Sequence, residues 1–311
     1  MNEVKLKIKK DKNKNITTIY NISFFDLYKT LDSGQTFRYR YIDNDDKNKG
    51  CYVYVRNICT LLKQKINNDD TTNLIIESID DEVINTWIDF FNLKLDYDEI
   101  NNDAIKKNKS VKKLIDNAKG VRVIHTDLFE SIITFIISAN NNMKRIKYSV
   151  ELLAERYGKL ILNDKNNDIK IYQIPNEKII NKLSLDDIRN LKVGFRDKYI
   201  KDATSKIVNK EISLDKIKLM NANDAKLELM KIKGVGDKVA DCIRLTALNK
   251  FEAFPVDTWI EKYMLSNDLK SNVKKGITYS RKEIEEYGMK KYGKYAGIIQ
   301  QYIFYSLTNN K

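Results

Sequence analysis

Proline occurs only twice in these 311 residues, cysteine three times and histidine once, and each scarcity removes a class of explanation. Cys51, Cys59 and Cys242 show no metal-ligand spacing and leave one thiol over from any pairing, which argues for a reducing compartment rather than a disulfide framework. The lone imidazole, His125, has no evident partner for a Ser-His or Cys-His system, and its plainer reading is structural. Acid–base chemistry then falls to lysines and carboxylates. No apolar run approaches the roughly 18 residues that a membrane span needs. The start, MNEVKLKIKKDKNK, is charged with no apolar segment behind it, so it does not read as a secretory signal and a cytosolic address is expected.

What is present suits a globular protein with room for two domains: 42% hydrophobic residues and a formal charge of +13. Such a charge fits a polyanion such as nucleic acid. Abundant lysine, asparagine, isoleucine and tyrosine would also follow from AT-rich codons, so charge alone points only weakly. Up to about residue 115, short β-branched and aromatic runs alternate with polar loops. Strands are expected over 16–22, 36–42, 51–62 and 73–79, with turns at KNKN, NDDKNKG and NNDDTT, most simply as an antiparallel sheet. A helical pattern over 83–93 and a basic, solvated helix and link at NNDAIKKNKSVKKLIDNAKG follow. Asp127 to Glu130 reads as a capping box before a buried helix through Ile132–Ile137. Amphipathic helices are expected over 146–157, 186–191 and 274–294, which makes the whole chain α+β.

The chemistry concentrates between Leu229 and Trp259. A helix starting at Asn223-Asp224 runs into Gly234-Val235-Gly236, after which Val239, Cys242, Ile243 and Thr246 share the face of a second helix. Glycines before a helix let backbone approach a ligand and aim free N–H groups at the positive end of the dipole, which suits phosphate. Equally, they close a turn between packed helices. Lys238 falls in the first helical turn, where the dipole disfavours a positive charge and favours the nucleophilic neutral amine. Asp257, after Pro255 and before the run Trp259, Ile260, Tyr263, Met264, reads as an N-cap whose carboxylate stays ionised and can stabilise a developing cation. A helix over 238–249 extends roughly 18 Å, and an extended 250–256 returns up to about 24 Å. Lys238 and Asp257 can therefore share a site.

The run KGVGDKVADCIRLTAL followed by FPVDTW resembles the helix-hairpin-helix, Gly/Pro, Asp (HhH-GPD) superfamily of DNA glycosylases, and its 8-oxoguanine branch most closely. Other segments agree, in the family's order. SGQTFRY at 33–39 is similar to SGQ-(S/T)-FRW, although a glycine before a strand is also an ordinary turn residue. ISANNNMKRI resembles SSNNN with an arginine three residues on, where an asparagine cluster alone would be a helix cap. LKVGFRDKY resembles LGYRARY, and YAGIIQQYIF resembles the YAG…Q…F ending, otherwise an amphipathic terminal helix. No cysteine follows Cys242, which sets aside the iron–sulfur branches.

The resemblance implies a TBP-like antiparallel sheet domain over 1–118 and an all-α HhH-GPD glycosylase domain over 119–311, with the hairpin at 223–249. It implies a bifunctional DNA glycosylase and abasic-site lyase acting on 8-oxoguanine in duplex DNA as a monomer, with no cofactor and no membrane, in the nucleoid of a prokaryote or the nucleus of a eukaryote. An alkali ion at the hairpin carbonyls is admitted. Lys238 and Asp257 would be catalytic. Gly34 would accept a hydrogen bond from the lesion, Gln300 would read its edge and Phe304 would stack on it. Cys242 would line the opposite face or simply be buried. Asn140 would fill the gap left by the flipped base, Arg145, Phe195 and Arg196 would meet the opposite strand, and Gly234, Val235 and Gly236 would hold phosphate. Phe195 in place of tyrosine keeps stacking but loses a hydroxyl, so looser selection of cytosine is expected. Trp259 stands where many relatives have a histidine. A monofunctional alkylpurine glycosylase and a non-catalytic DNA-gripping hairpin are the alternatives.

Overall fold

A computed structural model describes residues 3–42 and 49–309. The first part forms a six-stranded antiparallel sheet from β1 (Lys7–Asp11), β2 (Ile16–Ile22), β3 (Tyr39–Ile42), β4 (Gly50–Val55), β5 (Ile58–Ile66) and β6 (Thr72–Ile76), in the order β1-β2-β6-β5-β4-β3. The single strand expected over 51–62 is instead a tight hairpin. Val55 pairs with Ile58 and Arg56 takes φ 54°, so Arg56-Asn57 turns the chain. No glycine or proline announces that turn. The edge strand β1 was not expected because its lysines hide the alternation. The expected turn at 44–50 lies largely on residues 43–48, outside those described.

β4 is buried along its whole length. Cys51, Val53 and Val55 pack with Ile19, Leu62 and Leu74 against Trp87 and Phe91, from and just past helix Asp81–Phe90, whereas Tyr52 and Tyr54 meet Ile169 and Ile171 on the other face. Ile169 and Ile171 belong to a second hairpin, β7 (Leu160–Asp164) with β8 (Ile169–Tyr172), which covers the sheet. Both-face burial removes the polar alternation that marks a half-buried strand.

The basic stretch after the sheet is not simply a wet surface. Helices Tyr97–Lys107 and Lys112–Asn117 put Tyr97, Ile100, Leu114 and Ile115 into one core with Ile298, Ile299, Tyr302 and Ile303 of the terminal helix Ala296–Asn309. Their lysines lie on the outer faces.

Helix Leu128–Ser138 runs through the centre of the helical part, with Leu128 through Ile137 all buried. Asp127 caps it by accepting from the Glu130 amide at 3.0 Å. The capping box is only half formed, because the Glu130 carboxylate accepts instead from the Arg56 amide at 2.8 Å, joining the β4–β5 turn to the helix start. Burial pushes the Glu130 carboxyl up to about 7 from an ordinary 4.5. A folded-state value above the unfolded one means that this group's stability is fully present below 4.5 and is lost as pH rises through about 7. Glu130→Gln keeps the acceptor and removes the ionisation. The variant is expected to match the native chain in urea unfolding at pH 4 and to exceed it by about 3 kcal/mol at pH 8.

Candidate active site

The hairpin forms where the glycines stand. Helix Ala222–Met230, capped by Asn221 rather than by residues 223–224, leads into a turn and then helix Asp237–Leu248. Gly234 has φ +84°, and a Cβ there would lie 2.3 Å from the Tyr199 ring. Gly236 is the N-cap of the second helix and caps it with no side chain; a Cβ there would meet nothing within 4 Å. The Val235 amide donates to the Ile232 carbonyl at 3.1 Å, so it is not available to a phosphate as expected. The Gly234 and Gly236 amides donate to no described acceptor, and the first turn of an α-helix leaves its own N–H groups free. Likewise the carbonyls of Lys233, Gly234 and Val235 accept no described hydrogen bond, which suits a hard monovalent cation.

Lys238 follows in the first turn, half-buried, its Nζ 5.8 Å from the centre of the Phe135 ring. Helix Thr258–Ser266 is capped by Asp257, whose Oδ1 accepts from the Trp259 and Ile260 amides at 2.9 Å each. Both residues line one cavity of about 790 Å³, which also takes in Gly34, Asn140, Cys242, Gln300 and Phe304. Burial pushes the Cys242 thiol up from its usual range, against the pull of nearby Lys238 and with some push from Asp257, so it stays a neutral group between them.

Gly34 comes from the distant sheet-bearing part, and its loop is held from two sides. Gln35 Nε2 donates to Ser33 Oγ and to the Arg122 carbonyl, each at 2.8 Å, and Gln35 Oε1 accepts from the Ile124 amide. Gln301 Nε2 donates to the Ser33 carbonyl at 2.8 Å. Gly34 itself has φ +80°, and a Cβ there would press to 3.1 Å on the Phe304 ring. Gln300, one residue before the anchoring Gln301, makes no side-chain hydrogen bond among the described residues, which leaves its amide available to a ligand. Phe135, Met143 and Gln301 also line the cavity, although the sequence reading assigned none of them a role in the site. Their apolar or polar character fits an ordinary helix face, and nothing local marks them.

Of the four residues expected to fill the gap or meet the opposite strand, Asn140 lines the cavity and Arg145, Phe195 and Arg196 do not. Asn140 is exposed with φ +50°, directly after the buried helix. Phe195 is 57% exposed on a segment kinked by positive φ at Lys192 and Gly194, edge-on to Tyr199. Arg145 is exposed and close enough to lower the Arg196 guanidinium further below its ordinary value, burial being the larger cause. Arg196 departs from expectation. It is buried, and its guanidinium donates to the carbonyls of Val193 at 2.9 Å, of Ala139 at 2.7 Å and of Asn140 at 2.8 Å, bracing the asparagine loop instead of facing outward. His125 lies outside the cavity lining.

Residues 17–132 match the family described as "8-oxoguanine DNA glycosylase, N-terminal domain". The chain is 28% identical to a probable N-glycosylase/DNA lyase of Methanothermobacter thermautotrophicus, over 90% of this chain and 92% of the relative. It is 33% identical, with a TM-score of 0.84 and 98% of each chain covered, to the Clostridium acetobutylicum 8-oxoguanine glycosylase/lyase solved with double-stranded DNA carrying cytosine opposite 8-oxoguanine. A 3-methyladenine DNA glycosylase of Archaeoglobus fulgidus, 15% identical with a TM-score of 0.65 over 92% of this chain and 96% of that one, shares the fold.

The two hairpin glycines separate structure from binding. Gly234→Ala, with a strained φ and a clash on Tyr199, is expected to cost roughly 2 kcal/mol or more in urea unfolding. Gly236→Ala should unfold as the native chain does, yet weaken duplex DNA binding about tenfold in a fluorescence titration, because its methyl stands where a phosphate would approach.

Proposed function

Because the chain belongs to the 8-oxoguanine DNA glycosylase family of the helix-hairpin-helix superfamily, we propose that it excises 8-oxoguanine from duplex DNA and then nicks the abasic strand, with Lys238 and Asp257 as the catalytic pair. The observation that supports this reading is the convergence of Gly34, Lys238, Asp257, Gln300 and Phe304, from four separated stretches of chain, on one cavity. Residues 1–118 and 119–311 serve as its two domains, with the helices at 97–117 of the first packing into the core of the second; the first contributes Gly34 and the second the rest of the site. It works on chromosomal DNA, in cytoplasm or nucleus, as a monomer.

A base inside a duplex is out of reach, so it must be everted, with Asn140 at the vacated position. The neutral Lys238 amine attacks the sugar C1′ while the bond to purine N9 breaks, the electron pair leaving with the base, which takes up a proton. Asp257, held in place by two amides, stabilises the positive charge that develops on the sugar ring. Ring opening turns the C1′ adduct into a Schiff base. Loss of a C2′ proton then expels the 3′ phosphate by β-elimination. For lesion choice, 8-oxoguanine carries a proton on N7 that guanine lacks. A Gly34 carbonyl that accepts it would meet a bare lone pair in guanine and reject the normal base. Gln300 reads the Watson–Crick edge, Phe304 stacks, and Cys242 lies against the other face.

Borohydride trapping on 8-oxoguanine DNA should yield a covalent complex, lost in Lys238→Gln together with at least about a thousandfold of the excision rate. Retained trapping would redirect the chemistry to another amine. Base release without any trapping would favour a monofunctional alkylpurine glycosylase, and no release at all a gripping module. With the lesion opposite each of the four bases in turn, excision should be fastest opposite cytosine and fall only moderately opposite the others. A steep cytosine preference would contradict the role given to Phe195.

A further inference from the structure

An everted nucleotide brings its flanking phosphates to the rim of the cavity that receives it. The charged residues lining this cavity are Lys238, Asp257 and Arg281. Lys238 attacks only as the neutral amine and Asp257 repels an anion, so neither offers phosphate a standing positive charge. Arg281 does, because a guanidinium does not deprotonate in proteins. It opens helix Arg281–Tyr292, with its side chain 53% exposed. Its Nε donates at 2.9 Å to Oε2 of Glu261, a residue on the helix that Asp257 caps. Neither Nη atom has a partner among the described residues. A guanidinium held by Nε alone keeps its two-nitrogen fork free, and that fork matches a phosphate. The indole of Trp259, 46% exposed in the same lining, carries no charge to compete for it.

We propose that Arg281 binds one of the two phosphates flanking the everted nucleotide and that Glu261 is its positioning residue; this rests on the glycosylase reading above. The contact gives the site a cation that survives the neutral state of Lys238, and it ties Arg281–Tyr292 to the DNA beside the hairpin.

The test is binding of Arg281→Gln to a duplex carrying a tetrahydrofuran abasic analogue, titrated across salt concentrations. Loss of one phosphate contact should raise Kd about tenfold and reduce the slope of log K against log salt by about one. A neutral methylphosphonate placed at the 5′ or the 3′ flanking position identifies the partner. At one of them the native chain should lose about tenfold and Arg281→Gln nothing further. That comparison is made within each protein, so it decides even if the variant melts lower. Glu261→Gln should weaken binding less and leave the salt slope unchanged. Unchanged affinity or slope in Arg281→Gln, or additive losses at both positions, would overturn the assignment while native excision stood. Absence of excision by the native chain would overturn the glycosylase reading instead.

Discussion

Two helix N-termini open on one cavity, and the chain treats them in opposite ways. Helix Asp237–Leu248 begins at Gly236, which has no side chain to satisfy the first amides, and helix Thr258–Ser266 begins at Asp257, which satisfies two of them. The same partial positive charge therefore does different work at each end. At the uncapped end it faces outward with its first amides unpaired, beside Lys238 in the first turn. At the capped end it holds the Asp257 carboxylate in place, its Oδ1 accepting from two amides. Lys238 and Asp257 stand in one hollow because each is positioned by the helix terminus it belongs to.

The rest of the structure brings a recognition wall to that pair. Gly34 lies about two hundred positions earlier in the chain than Lys238, yet its loop is locked between Gln35, which reaches the backbone of Arg122 and Ile124, and Gln301, which reaches Ser33. Arg122 itself is buried and donates to the carbonyls of Ser23, Phe24 and Asn92, with its guanidinium 4.4 Å from the centre of the Tyr97 ring. Such multiply satisfied buried groups lose most of their hydrogen bonds together if the parts shift. That holds the Gly34 loop firmly against Phe304, where even an added Cβ would press to 3.1 Å on the ring.

The rim is built on another principle. Asn140 sits in a left-handed conformation at the end of a fully buried helix, and buried Arg196 holds the carbonyls of Ala139 and Asn140 in place. Phe195, next to that arginine, is left projecting from a kinked segment, its ring 4.5 Å from the guanidinium. Phe195 and Asn140 are thus tied through one guanidinium. Arg196, expected from the sequence to meet the opposite strand, is in this arrangement the brace between the asparagine loop and the Phe195 segment.

Much of this was legible in the residues alone. Gly-Val-Gly before a helical period, a lysine in the first turn and an aspartate ahead of the next helix are local signals, and capping, dipole and glycine geometry act within a few residues, so the hairpin, Lys238 and the Asp257 cap could be read directly. The hairpin at Arg56-Asn57, the covering strands β7 and β8, the burial of the basic stretch after the sheet and the inward turn of Arg196 could not. Those depend on which surfaces meet: β4 loses its alternation because both its faces are covered, and Arg196 points inward because three carbonyls converge there. The sequence by itself determined which groups could do the chemistry. Only the tertiary structure decided which of them share a cavity, because hydrogen bonds and packing between segments far apart in the chain have no signature in either segment alone.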